Sequence, residues 1–216
     1  MRRSTIAIVF ALLGGISPPA QTAQYTVTDL GTLGSYYSQA FGVSESGSVC
    51  GESYTGDYTA CHTFVWTDGI MTDLGAPVNN AMGWDVNDSL EVAGWGYDGS
   101  GNGRPLLWAG GTLTDLGTLG GPRGYAYAIN NAGQIAGYSA NPGGMSRASL
   151  WYAGTITDLG TLGGNGAGAY GINESGQVVG YSDTASGQTH ATLWSGGSVY
   201  DLGVLEYWSY AWDINN

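Results

Sequence analysis

The sequence predicts an all-β fold, namely a β-propeller or a partial propeller of four-stranded antiparallel repeats of about 43 residues. Three observations support this prediction. The tetrapeptide Thr-Asp-Leu-Gly, with Tyr-Asp-Leu-Gly as a variant, places aspartates 42 to 44 residues apart, at Asp29, Asp73, Asp115, Asp158 and Asp201. Short runs rich in Val, Ile, Tyr and Trp alternate with turns that contain Gly and Asn. No segment keeps a helical apolar period.

The fourth repeat shows how the strands are assigned. Strand candidates occupy residues 170–173, 177–182, 190–194 and 198–202, and an Asn-Glu-Ser-Gly turn separates the first two. Asn173 is suited to cap this turn, and Gly176 to adopt a positive φ. Tight turns favour antiparallel hairpins over the parallel coils of a β-solenoid, which is the alternative fold. Leu90 replaces the turn glycine in the second repeat, so we expect another turn geometry there.

The repeat domain is predicted to span residues 24–216, as four units plus two strands. Residues 213–216 match the first half of a hairpin, so we expect a domain truncated at its C-terminus. Five-bladed closure that uses the N-terminal strand is the alternative.

Residues 1–23 are predicted to be a signal peptide. Arg2 and Arg3 precede an apolar stretch at 6–13, and small and polar residues follow at 14–23. A buried N-terminal strand or helix is the alternative. No later stretch approaches the roughly 18 consecutive apolar residues of a membrane-spanning helix. We therefore predict an exported protein, secreted or held at the cell surface, without a transmembrane segment.

The charge of the chain narrows the choice of partners. The net charge is -12, and the five basic residues are all arginines. Proteins that bind nucleic acid do so through clustered Lys and Arg, so nucleic acid is not an expected partner. A cation, a neutral glycan or another protein fits this surface better.

The repeat motifs also resemble a known family. Residues 114–121 and 157–164 read TDLGTLGG, residues 171–182 read GINESGQVVGYS, and residues 190–194 read HATLW. This combination, which covers nearly all of residues 25–216, resembles the bacterial extracellular HAF-repeat proteins, named for a His-Ala-Phe tripeptide. Two units depart from the tripeptide, because Arg104 and Arg147 replace its histidine. The resemblance implies an exported protein and supplies no catalytic site.

The predicted ligand-binding residues are aromatic side chains outside the repeat pattern. Sugar rings stack on exposed aromatic faces, although such residues also bury well between blades. The tryptophans that recur once per unit are instead interpreted as core residues: Trp66, Trp108, Trp151 and Trp194. The ligand-binding candidates are Trp84, Trp95, Tyr97, Trp208 and Trp212.

Metal and cofactor binding receive little support from the sequence. Asp98, Ser100 and Asn102 resemble the first half of a calcium loop, but Ala109 stands where the bidentate glutamate belongs. A hairpin loop is the favoured interpretation, and no other cofactor is predicted. The repeated aspartates are expected to cap turns. The basic residues four positions before the repeat tryptophans are expected to pair with an aspartate of a neighbouring blade: His62, Arg104, Arg147 and His190.

Cys50 and Cys61 are the only cysteines, and they form a disulfide candidate in an exported chain. The alternative is one buried and one exposed thiol, because Cys50 occupies a position where Ala93 and Ala136 are expected to pack.

The sequence thus predicts a secreted or cell-surface binding or scaffold module for glycan or protein. The alternative is a polysaccharide-acting hydrolase or lyase, which needs two carboxylates within about 5–10 Å of each other. The acidic residues outside the repeat are few and scattered: Glu52, Asp57, Asp98, Asp183 and Glu206. No catalytic residue is predicted, and binding is favoured.

Overall fold

A computed structural model describes residues 25–56, 60–76 and 80–216. These residues form sixteen strands in four separate four-stranded sheets, and they contain no helix. Each sheet is an antiparallel meander whose strands follow one another in chain order. The predicted all-β repeat architecture is therefore confirmed, and it is propeller-like.

The strand bounds follow the sequence repeat. The first sheet contains β1 (Gly34–Val43), β2 (Val49–Thr55), β3 (Cys61–Thr67) and β4 (Ile70–Gly75). The second contains β5 (Ala81–Val86), β6 (Val92–Tyr97), β7 (Gly103–Ala109) and β8 (Thr112–Asp115). The third contains β9 (Gly124–Ile129), β10 (Ile135–Ala140), β11 (Ser146–Tyr152) and β12 (Thr155–Asp158). The fourth contains β13 (Gly163–Ile172), β14 (Val178–Thr184), β15 (Thr189–Ser195) and β16 (Ser198–Gly203).

The turn between the first two strands of each sheet has the same backbone hydrogen bonds in all four units. In the fourth unit, Asn173 Oδ1 accepts the Ser175 and Gln177 amides at 3.1 and 2.9 Å, as the sequence predicts for a capping asparagine. The Leu90 turn is not different, contrary to expectation. Leu90 has a φ of 61° and donates to the Asn87 carbonyl at 3.0 Å, as Gly133 and Gly176 do to their asparagines. The hydrogen-bonded turn imposes the left-handed conformation on leucine, at a cost of about 1–2 kcal/mol.

A one-residue bulge interrupts the first strand of every sheet. The pairing of β9 with β10 skips Tyr127, because Ala126 lies opposite Gly137 whereas Ala128 lies opposite Ala136. The same skip occurs at the equivalent aromatic residues of β1, β5 and β13, which are Phe41, Trp84 and Tyr170. A bulge leaves one residue unpaired and redirects its side chain. Each first strand therefore presents one aromatic residue outside the normal alternation of faces.

A glycine on the second strand is required opposite each bulge. A Cβ on Gly137 would overlap the Tyr125 carbonyl oxygen, and a Cβ on Gly94 would overlap that of Met82. Gly51 and Gly180 stand in the same relation to the carbonyls of Gln39 and Gly168. Gly137 and Gly180 begin the Gly-Tyr-Ser sequence of the third and fourth repeats, and the close approach of the bulged strand explains why glycine is needed there.

Apolar side chains fill the spaces between successive sheets. One cluster joins the first two sheets, a second joins the second and third, and a third joins the third and fourth. Trp108, Trp151 and Trp194 are 2 to 4% exposed and lie in these clusters, as predicted for core residues. Trp66 is only half-buried, since it lies on the outer side of the first sheet and lines a groove with residues 25–28.

Asparagine side chains link neighbouring sheets by hydrogen bonds. Asn87 Nδ2 donates to the Asn130 carbonyl at 3.2 Å, and Asn130 Nδ2 donates to the Asn173 carbonyl at 3.0 Å. Asn173 Nδ2 continues the series to the Asn215 carbonyl at 3.2 Å. One residue type therefore both caps its own turn and connects its sheet to the next.

The expected pairing with an aspartate of a neighbouring blade is instead formed within each sheet. His62 and Asp73 lie 3.0 Å apart on β3 and β4, and His190 and Asp201 lie 2.9 Å apart on β15 and β16. The pairs Arg104–Asp115 and Arg147–Asp158 have the same arrangement, at 2.9 Å. Adjacent antiparallel strands bring these residues together, so the prediction of a clip between blades was wrong. Each aspartate also accepts the amide of the glycine two residues later, which confirms the predicted capping role.

The predicted signal peptide, residues 1–23, lies outside the described residues. Among the residues that the structure describes, no helix is long and apolar enough to cross a bilayer.

Replacing Leu90 with glycine is expected to stabilise the protein. Glycine adopts a positive φ without strain, and the Leu90 side chain is 41% exposed, so little apolar burial is lost. We expect the free energy of unfolding to rise by about 0.5–1 kcal/mol in urea titrations. The converse change is Gly47→Leu, at a position where an added Cβ meets no atom within 4 Å. It should lower the free energy of unfolding by about 1 kcal/mol, because leucine would adopt a positive φ there. A destabilised Leu90→Gly variant would contradict the strained turn.

Adding a methyl group opposite a bulge is expected to be far more costly than adding one to an open loop. The Gly137→Ala change should lower the free energy of unfolding by about 3 kcal/mol or more, because backbone has to move to admit the Cβ. Gly99→Ala is the matched control, since no atom lies within 4 Å of its Cβ position. Equal midpoints of thermal unfolding for the two variants would refute the bulge constraint.

Candidate functional site

The first strands of all four sheets and the C-terminal segment border one central cavity of about 550 Å³. Its wall carries the bulged aromatic residue of each sheet, together with Trp212. Two carboxylates, Asp85 and Asp213, also line it. The aromatic wall residues are Phe41, Trp84, Tyr127, Tyr170 and Trp212.

These five rings form a continuous arc. The Phe41 and Trp84 rings stack with centroids 4.7 Å apart, and the Tyr170 and Trp212 rings stack at 4.5 Å. Tyr127 lies between the two pairs, 5.5 Å from Trp84 and 5.6 Å from Tyr170. We call this group the aromatic arc.

Asp85 is held rigidly in the cavity wall. Its Oδ1 accepts the Val86 amide and its Oδ2 accepts the Ile129 amide, both at 2.9 Å. Because Ile129 belongs to β9, the carboxylate bridges the second and third sheets. Burial raises the pKa of Asp85 to about 6, and the nearby Asp213 carboxylate contributes to the rise. The Asp213 side chain accepts the Ile214 amide at 2.8 Å.

Sequence reasoning did not single out Asp85, Asp213 or the arc residues Phe41, Tyr127 and Tyr170. A signal was nevertheless present. The residue that follows each arc residue is small in three units, at Gly42, Ala128 and Gly171, and it is aspartate after Trp84 and Trp212. A departure from the repeat at one fixed position is what a site residue would produce.

The structure divides the five predicted ligand-binding aromatics between two places. Trp84 and Trp212 belong to the aromatic arc. Trp95, Tyr97 and Trp208 lie outside the cavity, on two rows of rings that extend from the arc. We call these rows the aromatic ridge, which consists of Tyr97, Trp95, Tyr125, Tyr138, Tyr181, Tyr210 and Trp208.

Ring contacts run along the ridge without a break from its exposed ends to the arc. Tyr97 contacts Trp95 at 5.3 Å, and Trp95 contacts Tyr125 at 4.9 Å. On the other side, Trp208 contacts Tyr210 at 5.4 Å. Tyr138 joins the first row to Tyr127 at 5.9 Å, and Tyr181 joins the second row to Tyr170 at 5.8 Å.

The ridge ends are open to solvent, whereas its centre is partly buried. Trp208 is 67% exposed and Tyr97 is 39% exposed, whereas Tyr125, Tyr138 and Tyr181 are half-buried. Burial raises the pKa of Tyr138 to about 12, so its hydroxyl stays protonated at neutral pH. The ridge therefore offers flat apolar faces together with neutral hydroxyl groups.

The calcium-loop candidate is a hydrogen-bonded hairpin turn. Asp98 Oδ1 accepts the Ser100 and Asn102 amides at 2.8 and 2.9 Å, which lowers the pKa of the carboxyl. The carboxylate is thus occupied by its own turn, which supports the hairpin interpretation. Within residues 25–56, 60–76 and 80–216, no three His, Cys, Asp or Glu side chains are grouped as metal ligands.

Cys50 and Cys61 are both buried free thiols, so the disulfide candidate is not formed. The register places Cys50 opposite Val65 and Cys61 opposite Tyr54, four residues further along β2. At about 3.3 Å per residue this offset is about 13 Å, beyond the reach of a disulfide. Cys61 Sγ instead donates to Glu52 Oε2 at 3.4 Å, and its pKa is raised by burial to about 12.

Glu52 and Asp183, two of the acidic residues outside the repeat, lie in different sheets and have different partners. Glu52 is buried beside Tyr37 and Cys61 in the first sheet, and Asp183 accepts the Gly166 amide and the Thr189 hydroxyl in the fourth. Asp57 lies outside the described residues, and Glu206 is exposed. Glu52 and Asp183 therefore each have hydrogen-bond partners within their own unit.

Comparison with models of known protein families and with curated proteins finds no match to the chain. The site is therefore interpreted from its own geometry.

The pKa of Asp85 makes stability depend on pH in a defined window. Because the folded-state pKa lies near 6, above the ordinary value of 3.8, ionisation is less favourable in the folded chain. The contribution of Asp85 to the free energy of unfolding is therefore highest below pH 4 and falls as the pH rises towards 6. Carboxyl ¹³C NMR should show a titration midpoint near 6 for Asp85, and Asp85→Asn should remove that part of the pH dependence. A midpoint near 4 would be inconsistent with burial of the charge.

Proposed function

We propose that this chain is an exported, non-enzymatic binding protein that holds a glycan on the aromatic ridge. The observation that carries the proposal is the two rows of ring contacts that run from the arc, one to exposed Tyr97 and the other to exposed Trp208. A row of partly exposed rings is suited to stacking against several sugar units in succession. Neutral tyrosine hydroxyls beside the rings are suited to hydrogen-bond sugar hydroxyls.

Charge favours a neutral glycan over an acidic one. The chain has a net charge of -12. Arg123 is the basic residue whose charge acts on Tyr125 and Tyr138 of the ridge. A polyanionic chain would be repelled by the surplus of carboxylates at low ionic strength. A neutral polysaccharide carries no such cost.

Export and surface location are part of the proposal. The basic, apolar and small-residue order of residues 1–23 supports a signal peptide. The resemblance of the repeat motifs to HAF-repeat proteins supports an extracellular role. Binding is preferred over hydrolysis because Glu52 and Asp183 are engaged in separate sheets. The carboxylates of Asp85 and Asp213 do line one cavity, but both Asp85 oxygens already accept backbone amides.

Truncation of the ridge ends should weaken glycan binding without unfolding the chain. We expect the purified chain to bind neutral oligosaccharides on a glycan array, and Trp208→Ala and Tyr97→Ala each to weaken the best hit at least about tenfold. Tyr200→Ala and Tyr152→Ala are matched controls, because these tyrosines are 50% and 48% exposed but lie on β16 and β11, outside the ridge. Equal losses in controls and ridge variants, or binding confined to acidic glycans, would refute the proposal. Release of sugar from a polysaccharide panel would favour the enzyme alternative.

A further inference from the structure

We propose that the central cavity binds a small organic cation that carries a quaternary ammonium group. This inference concerns the aromatic arc, and it goes beyond glycan binding on the ridge. It rests on the joint placement of five aromatic rings and two carboxylates around one cavity.

The aromatic arc supplies the attraction that a diffuse organic cation requires. The face of an aromatic ring carries negative potential, and a cation that lies over a ring face within about 6 Å of its centroid is attracted to it. The structure brings Trp84, Tyr127 and Tyr170 together at successive centroid distances of 5.5 and 5.6 Å, with a stacked ring supporting each end. The bulges hold these rings in place before any ligand arrives, so little ordering is needed on binding.

The charges around the cavity favour a cation. Asp85 and Asp213 line the cavity, and none of the described residues that line it is basic. Among the described arginines, Arg104 and Arg147 are occupied by Asp115 and Asp158. The net charge of -12 adds a general attraction for cations.

The hydrogen-bond capacity of the wall discriminates between kinds of cation. Both Asp85 oxygens and Asp213 Oδ1 already accept backbone amides, and the other lining residues are mostly aromatic or aliphatic. A primary ammonium group has three donors to satisfy, and a metal ion needs several oxygen ligands. A quaternary ammonium group has no donor, so its transfer into such a wall leaves no hydrogen bond unmade.

The volume suits a ligand larger than the ammonium group alone. A cavity of about 550 Å³ lies within the range of roughly 300–1,000 Å³ typical of small-molecule sites.

The test is titration calorimetry of the purified chain with choline at constant ionic strength and pH 7.5. The neutral isostere 3,3-dimethylbutan-1-ol has the same shape without the charge and serves as the matched ligand, and ethanolamine serves as the primary ammonium. We expect saturable binding of choline that is at least about tenfold tighter than binding of either comparison ligand, as one desolvated cation–π contact of about 2 kcal/mol allows. Absence of choline binding, or equal affinity for the isostere, would overturn the proposal.

Two exposed variants protect the test against loss of folding. Trp212 is 67% exposed, so Trp212→Leu removes one ring of the arc with little effect on the core. Asp213→Asn removes a charge at an exposed position. Each should weaken choline binding at least about threefold, whereas Tyr152→Leu should leave it unchanged. Unchanged affinity in both cavity variants would also overturn the proposal, and none of these results depends on glycan binding by the ridge.

Discussion

The close approach of the first two strands in each sheet is the contact on which the rest of the structure depends. A bulge at Tyr127 and its three counterparts moves the first strand towards the second until only a glycine fits opposite. The bulged residue loses its place in the alternation of faces and its side chain turns towards the common cavity. One local irregularity, repeated in each unit, therefore produces an arc of rings that no single sheet could form.

The arc persists because the sheets are fixed relative to one another by two different interactions. Apolar clusters between the sheets supply most of the contact, and they are anchored by tryptophans such as Trp151 and Trp194. The asparagines Asn87, Asn130 and Asn173 add directed hydrogen bonds from the second, third and fourth turns to the unit or segment that follows. Apolar packing is non-directional, whereas these hydrogen bonds specify one angle between neighbours. Asp85 does the same at the cavity, since it joins β5 to the Ile129 amide.

The charged residues that recur in every repeat make contacts within their own sheet, whereas the cavity is lined by charged residues that depart from the repeat. The aspartate of each Thr-Asp-Leu-Gly motif caps its own turn, and four of the five also pair with the His or Arg on the adjacent strand. Asp85 and Asp213 break the small-residue pattern and face the cavity instead. Exposed aromatics that break the pattern, such as Trp208, lie at the ends of the ridge. In this chain the repeat builds the framework, and departures from it supply the recognition surface.

The sequence by itself determined the repeat length, the four strands per unit, the capping asparagines and three of the four predicted core tryptophans. These features depend on local turn chemistry and on periodicity, which are visible along the chain. It also indicated Trp84 and Trp212 as ligand candidates, but it could not place them in one cavity. The two residues are 128 positions apart in the chain, and only the arrangement of the sheets brings both to the cavity wall. The Leu90 turn, the ion pairs within the sheet and the separation of Cys50 from Cys61 were decided by the tertiary structure. In each case the outcome depends on register and on neighbouring backbone, and a one-residue bulge or a four-residue offset leaves no trace in composition.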